Sequence, residues 1–258
     1  MKRFGLIGYP VSHSKSPIIH EVIKNYYQLP LSFSLMPIKV EGIKKVLDDI
    51  KSGKLDGVNV TIPHKETVIP LLDLLTDKAK KIGAVNTIYL KDSKLVGDNT
   101  DYDGFLGLLE RSKIDLKDKR VIILGTGGAA KACYHVFKDL GIEPKVVSRT
   151  KRSDANFGDV ITYDMLKPKD YDIIVNSTPV GMYPNVDESP LDQSLVKDKI
   201  VFDLIYNPSE TKLMKDAKVA FNGLDMLIIQ AVKAESIWHQ KNLSVSDELI
   251  ELMRGNLI

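Results

Sequence analysis

The segment RVIILGTGGAAKA, Arg120 to Ala132, constrains the fold of this chain more than any other. An apolar run, Val121 to Leu124, leads into a glycine-rich turn, and a helical pattern follows directly. Gly125, Gly127 and Ala130 stand at G-x-G-x-x-A spacing. In that pattern the first glycine makes the tight turn and the second lets backbone approach a pyrophosphate. The small third residue lets the helix pack close on the strand. Unpaired N–H groups and the positive end of the helix dipole then face the phosphates. Gly125, Thr126, Gly127, Gly128 and Ala129 are therefore expected to bind a nicotinamide dinucleotide on a Rossmann-type sheet.

The rest of the chain repeats the same rhythm. FGLIG, a helix around His20 to Tyr27, SFSLMPI, a helix over Gly42 to Ile50, and GVNVTI form one series. RVIILG, KVVS, DIIVNST, KIVFDLI and KVAFNG form another. Alternating strands and helices predict an α/β fold of two domains, each with a mostly parallel sheet. At 258 residues the chain is comfortable for two domains. The boundary is expected near residue 101, where Asn99 and Thr100 suit a helix cap. The last segments, LDMLIIQAVKAESIWHQKN and SVSDELIELMRGNLI, read as amphipathic helices that return to the first domain. The expected domains are 1–101 completed by 224–258, and the dinucleotide-binding domain 102–223.

Charge and composition narrow the function. The formal net charge is only +2, and Lys and Arg alternate with Asp and Glu along most of the chain. No basic stripe of the kind nucleic acid requires is present. No apolar run approaches the roughly 20 residues that cross a bilayer. The basic start MKRF is followed by Gly5, Gly8 and Pro10, which interrupt any signal-type apolar stretch. Cys133 is the single cysteine, so it forms no internal disulfide, and its place in the helix after Gly128 suggests packing. A cytoplasmic protein with a small-molecule substrate, no metal, and a monomeric or homodimeric state is expected.

The strand KVVS selects among dinucleotides. An NAD enzyme commonly carries Asp or Glu at this strand end, where it binds the ribose 2′-hydroxyl. Here the chain reads Ser148, Arg149, Thr150, Lys151, Arg152. Cations and hydroxyls without a carboxylate suit a 2′-phosphate, which guanidinium clamps in bidentate fashion. NADP is the expected cofactor, held by Ser148, Arg149, Thr150 and Arg152.

Other polar segments fall at or near predicted strand ends, where open α/β sheets bind ligands. They are YPVSHSKSP at 9–17, NVTIPHK at 59–65, GAVNT at 83–87 and GDNTD at 97–101, with GLDMLIIQA at 223–231 near the end. Each alone reads as a turn or cap. As an ordered set with GTGGAA, SRT, NSTPVGM and DLIYNP, they resemble the shikimate dehydrogenase family over essentially the whole chain. Quinate/shikimate dehydrogenases share most of these motifs, but those preferring NAD would carry an acidic residue after KVVS.

The resemblance implies reversible reduction of 3-dehydroshikimate to shikimate with NADPH, on the way to aromatic amino acids. By similarity, Ser14 and Ser16 hold the substrate carboxylate. Asn59, Thr61, Asn86, Asp101, Tyr206 and Gln230 surround the ring hydroxyls. Thr178, Ile205 and Gly223 join the cofactor set through their motifs. Lys65 is the implied catalytic group and Asp101 its partner. Hydride addition to a ketone leaves an alkoxide, so a proton donor must lie within hydrogen-bond reach of that oxygen. The reverse reaction needs the free amine, so oxidation is expected to speed up as pH rises. A dinucleotide-sensing regulator would keep the glycine turn and lack Lys65 or Asp101. His64 stands where the family often has an aromatic residue, and Thr126 where alanine is common. His64 is read as packing, and His13 as a polar loop residue.

Overall fold

The computed structural model describes residues 1–257, with the Arg152 side chain outside the described set. The assignment of Arg152 to the cofactor therefore falls on a side chain not described here. In chain order the elements begin β1 (Lys2–Gly8), α1 (Ser16–Tyr27), β2 (Leu31–Pro37), α2 (Ile43–Lys51) and β3 (Gly57–Val60). Then follow β4 (Leu74–Leu75), α3 (Asp77–Ile82), β5 (Thr87–Lys91), β6 (Lys94–Asp98) and α4 (Asp101–Ser112). Next come β7 (Val121–Leu124), α5 (Gly128–Asp139), β8 (Lys145–Ser148), β9 (Arg152–Asp154), β10 (Gly158–Thr162) and β11 (Ile173–Asn176). The chain ends with α6 (Gln193–Val196), β12 (Ile200–Asp203), α7 (Lys212–Lys215), β13 (Val219–Asn222), α8 (Leu224–His239) and α9 (Asp247–Leu257).

Two compact units result. The first is Met1–Gly104 with Ile228–Ile258, and the second is Phe105–Leu227. The divisions fall inside α4 and α8.

The first unit holds a six-stranded sheet in the order β2-β1-β3-β5-β6-β4. β1 pairs parallel with β2 and β3, and β4 parallel with β6. β5 runs antiparallel to both its neighbours. The β5–β6 hairpin turns through Asp92 and Ser93, at φ +49° and +60°. That is the twist a two-residue hairpin requires. α2 shows why the local sequence folds as it does: Ile43, Val46, Leu47 and Ile50 recur at helical spacing and are all buried against the sheet. Each such side chain contributes about 1.5–3 kcal/mol on full burial. Lys44 and Lys45 on the other face pair with Asp48 and Asp49.

The second unit holds a seven-stranded sheet in the order β13-β12-β11-β7-β8-β10-β9. Every pair is parallel except β9 with β10. β7 and β11 are buried along their whole length, as a strand covered on both faces must be. The carboxyl ends of β7, β8, β11 and β12 therefore open toward one side of this sheet. Ser148 lies at the end of β8, and the glycine turn, Thr178 and Ile205 follow the ends of β7, β11 and β12.

Candidate active site

In the first unit, β3, β5, β6 and the start of α4 bring polar side chains into a hydrogen-bonded cluster. Lys65 Nζ lies 2.5 Å from Asp101 Oδ2. Their side chains are 16% and 10% exposed, so the ion pair is largely withdrawn from water yet still reachable. Asp101 Oδ1 accepts from Asn86 Nδ2 at 2.9 Å. Both oxygens are thus held, one by a cation and one by a neutral amide. Asp101 is also the first residue of α4, where the helix dipole favours negative charge.

A further layer orients Asn86. Its Oδ1 accepts from Thr100 N at 2.7 Å and from Thr87 Oγ1 at 2.9 Å. Its Nδ2 approaches Gln230 Oε1 at 3.4 Å. Asn59 stands behind it, with Nδ2 donating to Asn86 O and Thr87 Oγ1, both at 3.1 Å. Asn99 Nδ2 donates to Ala84 O, and its Oδ1 accepts from Asp101 N at 3.1 Å, which fixes the start of α4. The motif residues Asn59, Lys65, Asn86, Asp101 and Gln230 therefore share one network. Thr87, Asn99 and Thr100 were not among the expected site residues. Their signal was present: three buried polar residues beside Asn86 and Asp101 at the ends of apolar strands.

Ser14 and Ser16 form a separate pair. Ser14 Oγ donates to Ser16 Oγ at 3.0 Å and accepts from Ser16 N, so the loop before α1 and the first residue of α1 bring two hydroxyls together. Thr61 is half-buried and lies close to Gly8. A Cβ on Gly8 would stand 2.5 Å from Thr61 Cγ2 and 2.8 Å from Ile62 O. His64 is buried and donates through Nε2 to Ile38 O at 2.8 Å, a packing role.

The second unit carries the other candidates. Gly125 adopts φ +103°, and a Cβ there would meet Ser177 Oγ at 2.8 Å, so only glycine fits. Gly127 is different: a Cβ on it would meet nothing within 4 Å. That open space lies at the amino terminus of α5, which begins at Gly128. The arrangement fits a pyrophosphate approaching backbone N–H groups. Arg149 and Thr150 are exposed after β8, and Ser148 Oγ bonds within that loop to Thr150. These residues suit the 2′-phosphate that distinguishes NADP from NAD. Thr178 is oriented by Asn176, whose Oδ1 accepts from Thr178 Oγ1 at 2.7 Å. Tyr206 lies in the loop after β12. Gly223 packs against the Leu204 backbone, where a Cβ would stand 2.1 Å from the carbonyl oxygen. Cys133 is buried in α5. No helix among the described residues is long and apolar enough to cross a membrane.

Residues 6–88 match the family described as shikimate dehydrogenase substrate binding domain. A shikimate dehydrogenase (NADP(+)) of Clostridium beijerinckii is 41% identical over 254 residues, covering 94% of each chain. The crystal structure of shikimate dehydrogenase 1 from Peptoclostridium difficile is 38% identical with a TM-score of 0.89, covering 100% of this chain and 98% of that one. A shikimate 5-dehydrogenase from Thermus thermophilus, solved in complex with NADP(H) and shikimate, is 31% identical with a TM-score of 0.88. The match covers both chains completely.

Proposed function

The chain belongs to the shikimate dehydrogenase family, and from that premise we propose that it catalyses the reversible NADP-dependent reduction of 3-dehydroshikimate to shikimate in aromatic amino acid biosynthesis. One observation carries the mechanism. Lys65 Nζ stands 2.5 Å from Asp101 Oδ2, while Asn86 holds the other carboxylate oxygen.

An ammonium has three N–H groups. One is spent on Asp101, which leaves Lys65 donors for a substrate oxygen. When bound, the reduced nicotinamide supplies the hydride for the carbonyl carbon. Lys65 polarises the carbonyl and passes a proton to its oxygen as negative charge develops. Asp101 keeps the ammonium aimed, and its own aim is fixed by Asn86 and the start of α4. In oxidation the same nitrogen, without its proton, accepts the hydroxyl hydrogen.

Binding is divided by chemistry. Ser14 and Ser16 offer adjacent hydroxyls to the substrate carboxylate. Thr61, Asn86, Asp101, Gln230 and the remaining polar atom of Asn59, all in the first unit, match ring hydroxyls, which both donate and accept. The glycine turn holds the pyrophosphate, and Ser148, Arg149 and Thr150 hold the 2′-phosphate. Thr178, Ile205 and Gly223 border the cofactor. The first unit is thus the substrate-binding and catalytic domain, and the second the dinucleotide-binding domain.

The test is turnover by the purified protein, read as reduced-cofactor absorbance. Shikimate with NADP should react. Substituting NAD for NADP, or quinate for shikimate, should lower kcat/KM by at least about tenfold, roughly the loss from one unmatched polar group. Absence of turnover with every pair would overturn the proposal.

A further inference from the structure

We propose that Asp203 is a positioning residue for the nicotinamide half of the cofactor, because its carboxyl ties the loop after β11 to the loop after β12. The inference rests on the dinucleotide reading above.

The sheet order sets the geography. β8 lies on one side of β7, and β11 followed by β12 lies on the other. A dinucleotide spans such a sheet with its pyrophosphate at the turn after the first strand and its two nucleosides to either side. The basic loop after β8 takes the adenosine side. The loops after β11 and β12, which carry Thr178 and Ile205, then face the nicotinamide side.

Asp203 joins those two loops. It is the last residue of β12, fully buried, and paired in register with Asn176 at the end of β11. Its Oδ1 accepts from Asn176 Nδ2 at 3.0 Å and from Ile205 N at 3.1 Å. Its Oδ2 accepts from Thr211 Oγ1 at 2.7 Å. Asn176 then continues the chain, since its Oδ1 accepts from Thr178 N at 3.1 Å and from Thr178 Oγ1 at 2.7 Å. On the other side, Ile205 O accepts from Gly223 N at 3.0 Å, and Leu204 N donates to Asn176 O at 2.9 Å. Thr178 and Ile205 are therefore fixed relative to each other through one carboxyl and one amide.

Packing alone does not account for a carboxyl here. Burial pushes Asp203 up to about 6, against the pull of hydrogen bonds from Thr211, Ile205 and Asn176, and none of these partners carries a charge. An aliphatic side chain would avoid that cost, but it would leave three donors without an acceptor. Asparagine is the conservative replacement. Its carbonyl can accept the two bonds at Oδ1, and its amide can donate to the Thr211 hydroxyl.

The experiment compares the whole protein with Asp203→Ala and Asp203→Asn. Dissociation constants are measured for NADP and for adenosine 2′,5′-bisphosphate, a probe of the adenosine half only. Asp203→Ala should weaken NADP at least about tenfold and leave the bisphosphate within about twofold, because only the second nucleoside loses its support. Asp203→Asn should return NADP to within about threefold of wild type. Equal weakening of both ligands by Asp203→Ala, or no weakening of either, overturns the positioning role. If Asp203→Ala does not give the native circular dichroism spectrum, Asn176→Ala severs the same tie and must show the same split. Wild-type binding of NADP without that split in the variants contradicts this inference alone. A wild-type protein that does not bind NADP contradicts the cofactor reading as well.

Discussion

Asp203 and Glu235 are both fully buried carboxyls, and their surroundings drive them in opposite directions. Asp203 is pushed from an ordinary 3.8 to about 6 by burial among neutral partners. The native state then keeps a proton that the unfolded chain releases, so stability falls as pH rises from about 4 to about 6. A shift of this size corresponds to about 3 kcal/mol. Asp203→Asn should remove that slope, so denaturant titrations at pH 4 and pH 7.5 should show the variant gaining on wild type at the higher pH. An equal difference at both would contradict the buried-acid argument. Glu235 is also pushed up by burial, but His20 and His239 outweigh it and hold the carboxyl below its ordinary value. His20 Nδ1 lies 2.6 Å from Glu235 Oε1, and His239 Nε2 lies 3.2 Å from Oε2. Phe33 stacks on His20, and Phe4 stacks on Trp238 beside it. For a lowered carboxyl the contribution is present above the unfolded value and disappears as pH falls through the folded one. Glu235→Gln should cost roughly 1.5–3 kcal/mol near neutrality, the usual worth of hydrogen bonds to a charged group. The loss should shrink in acid, and a penalty independent of pH would assign it to packing alone.

At the scale of elements, the glycine turn separates folding from binding. Gly127→Ala adds a Cβ into open space. It should leave Tm within a few degrees of wild type, since glycine and alanine differ by only about 1 kcal/mol at a helix cap. If that space is where backbone meets pyrophosphate, as proposed, NADP binding should nevertheless weaken at least about tenfold. Gly223→Ala drives a Cβ into the Leu204 carbonyl and should lower Tm as well as cofactor affinity. Thermal melts beside cofactor titrations check both, and equal Tm losses would refute the distinction. The same elements show what was readable in advance. β7, β11 and β12 are buried apolar runs ending at turn residues, and α2 has the full helical period, so all four stood out in the sequence. The β5–β6 hairpin did not, because Asp92-Ser93 is a weaker turn signal than Asn-Gly or Asp-Gly. β4 and β9 are too short to show a period. Gly125 and Gly127 were legible as a motif, yet only the structure shows that the fold demands glycine at 125 while a Cβ at 127 would enter open space. Lys65 and Asp101 were named through their resemblance to a family. The bonds from Asn86 to Thr87 and Thr100 join β5 to the start of α4, a pairing that residue order does not encode.

For the whole molecule, ligand binding must appear as stability. A ligand that binds only the native state at a hundred times its Kd adds about 2.7 kcal/mol. In a chain of this length, where 1 kcal/mol moves Tm by roughly 2–4 °C, that raises Tm by roughly 5–11 °C. NADP should produce this shift, and NAD at the same concentration should produce less, since it lacks the phosphate that Arg149 would hold. Equal shifts would contradict the assignment of Ser148, Arg149 and Thr150. The proton-transfer step stands or falls on Lys65, and its most direct test is steady-state shikimate oxidation by Lys65→Ala at saturating NADP. The account predicts a kcat reduced by about 100-fold to 10,000-fold, the usual contribution of a positioned acid or base. KM for shikimate should stay within about threefold, because the serine pair and the ring contacts remain. A variant that keeps its kcat while KM rises would contradict the account and make Lys65 a binding residue.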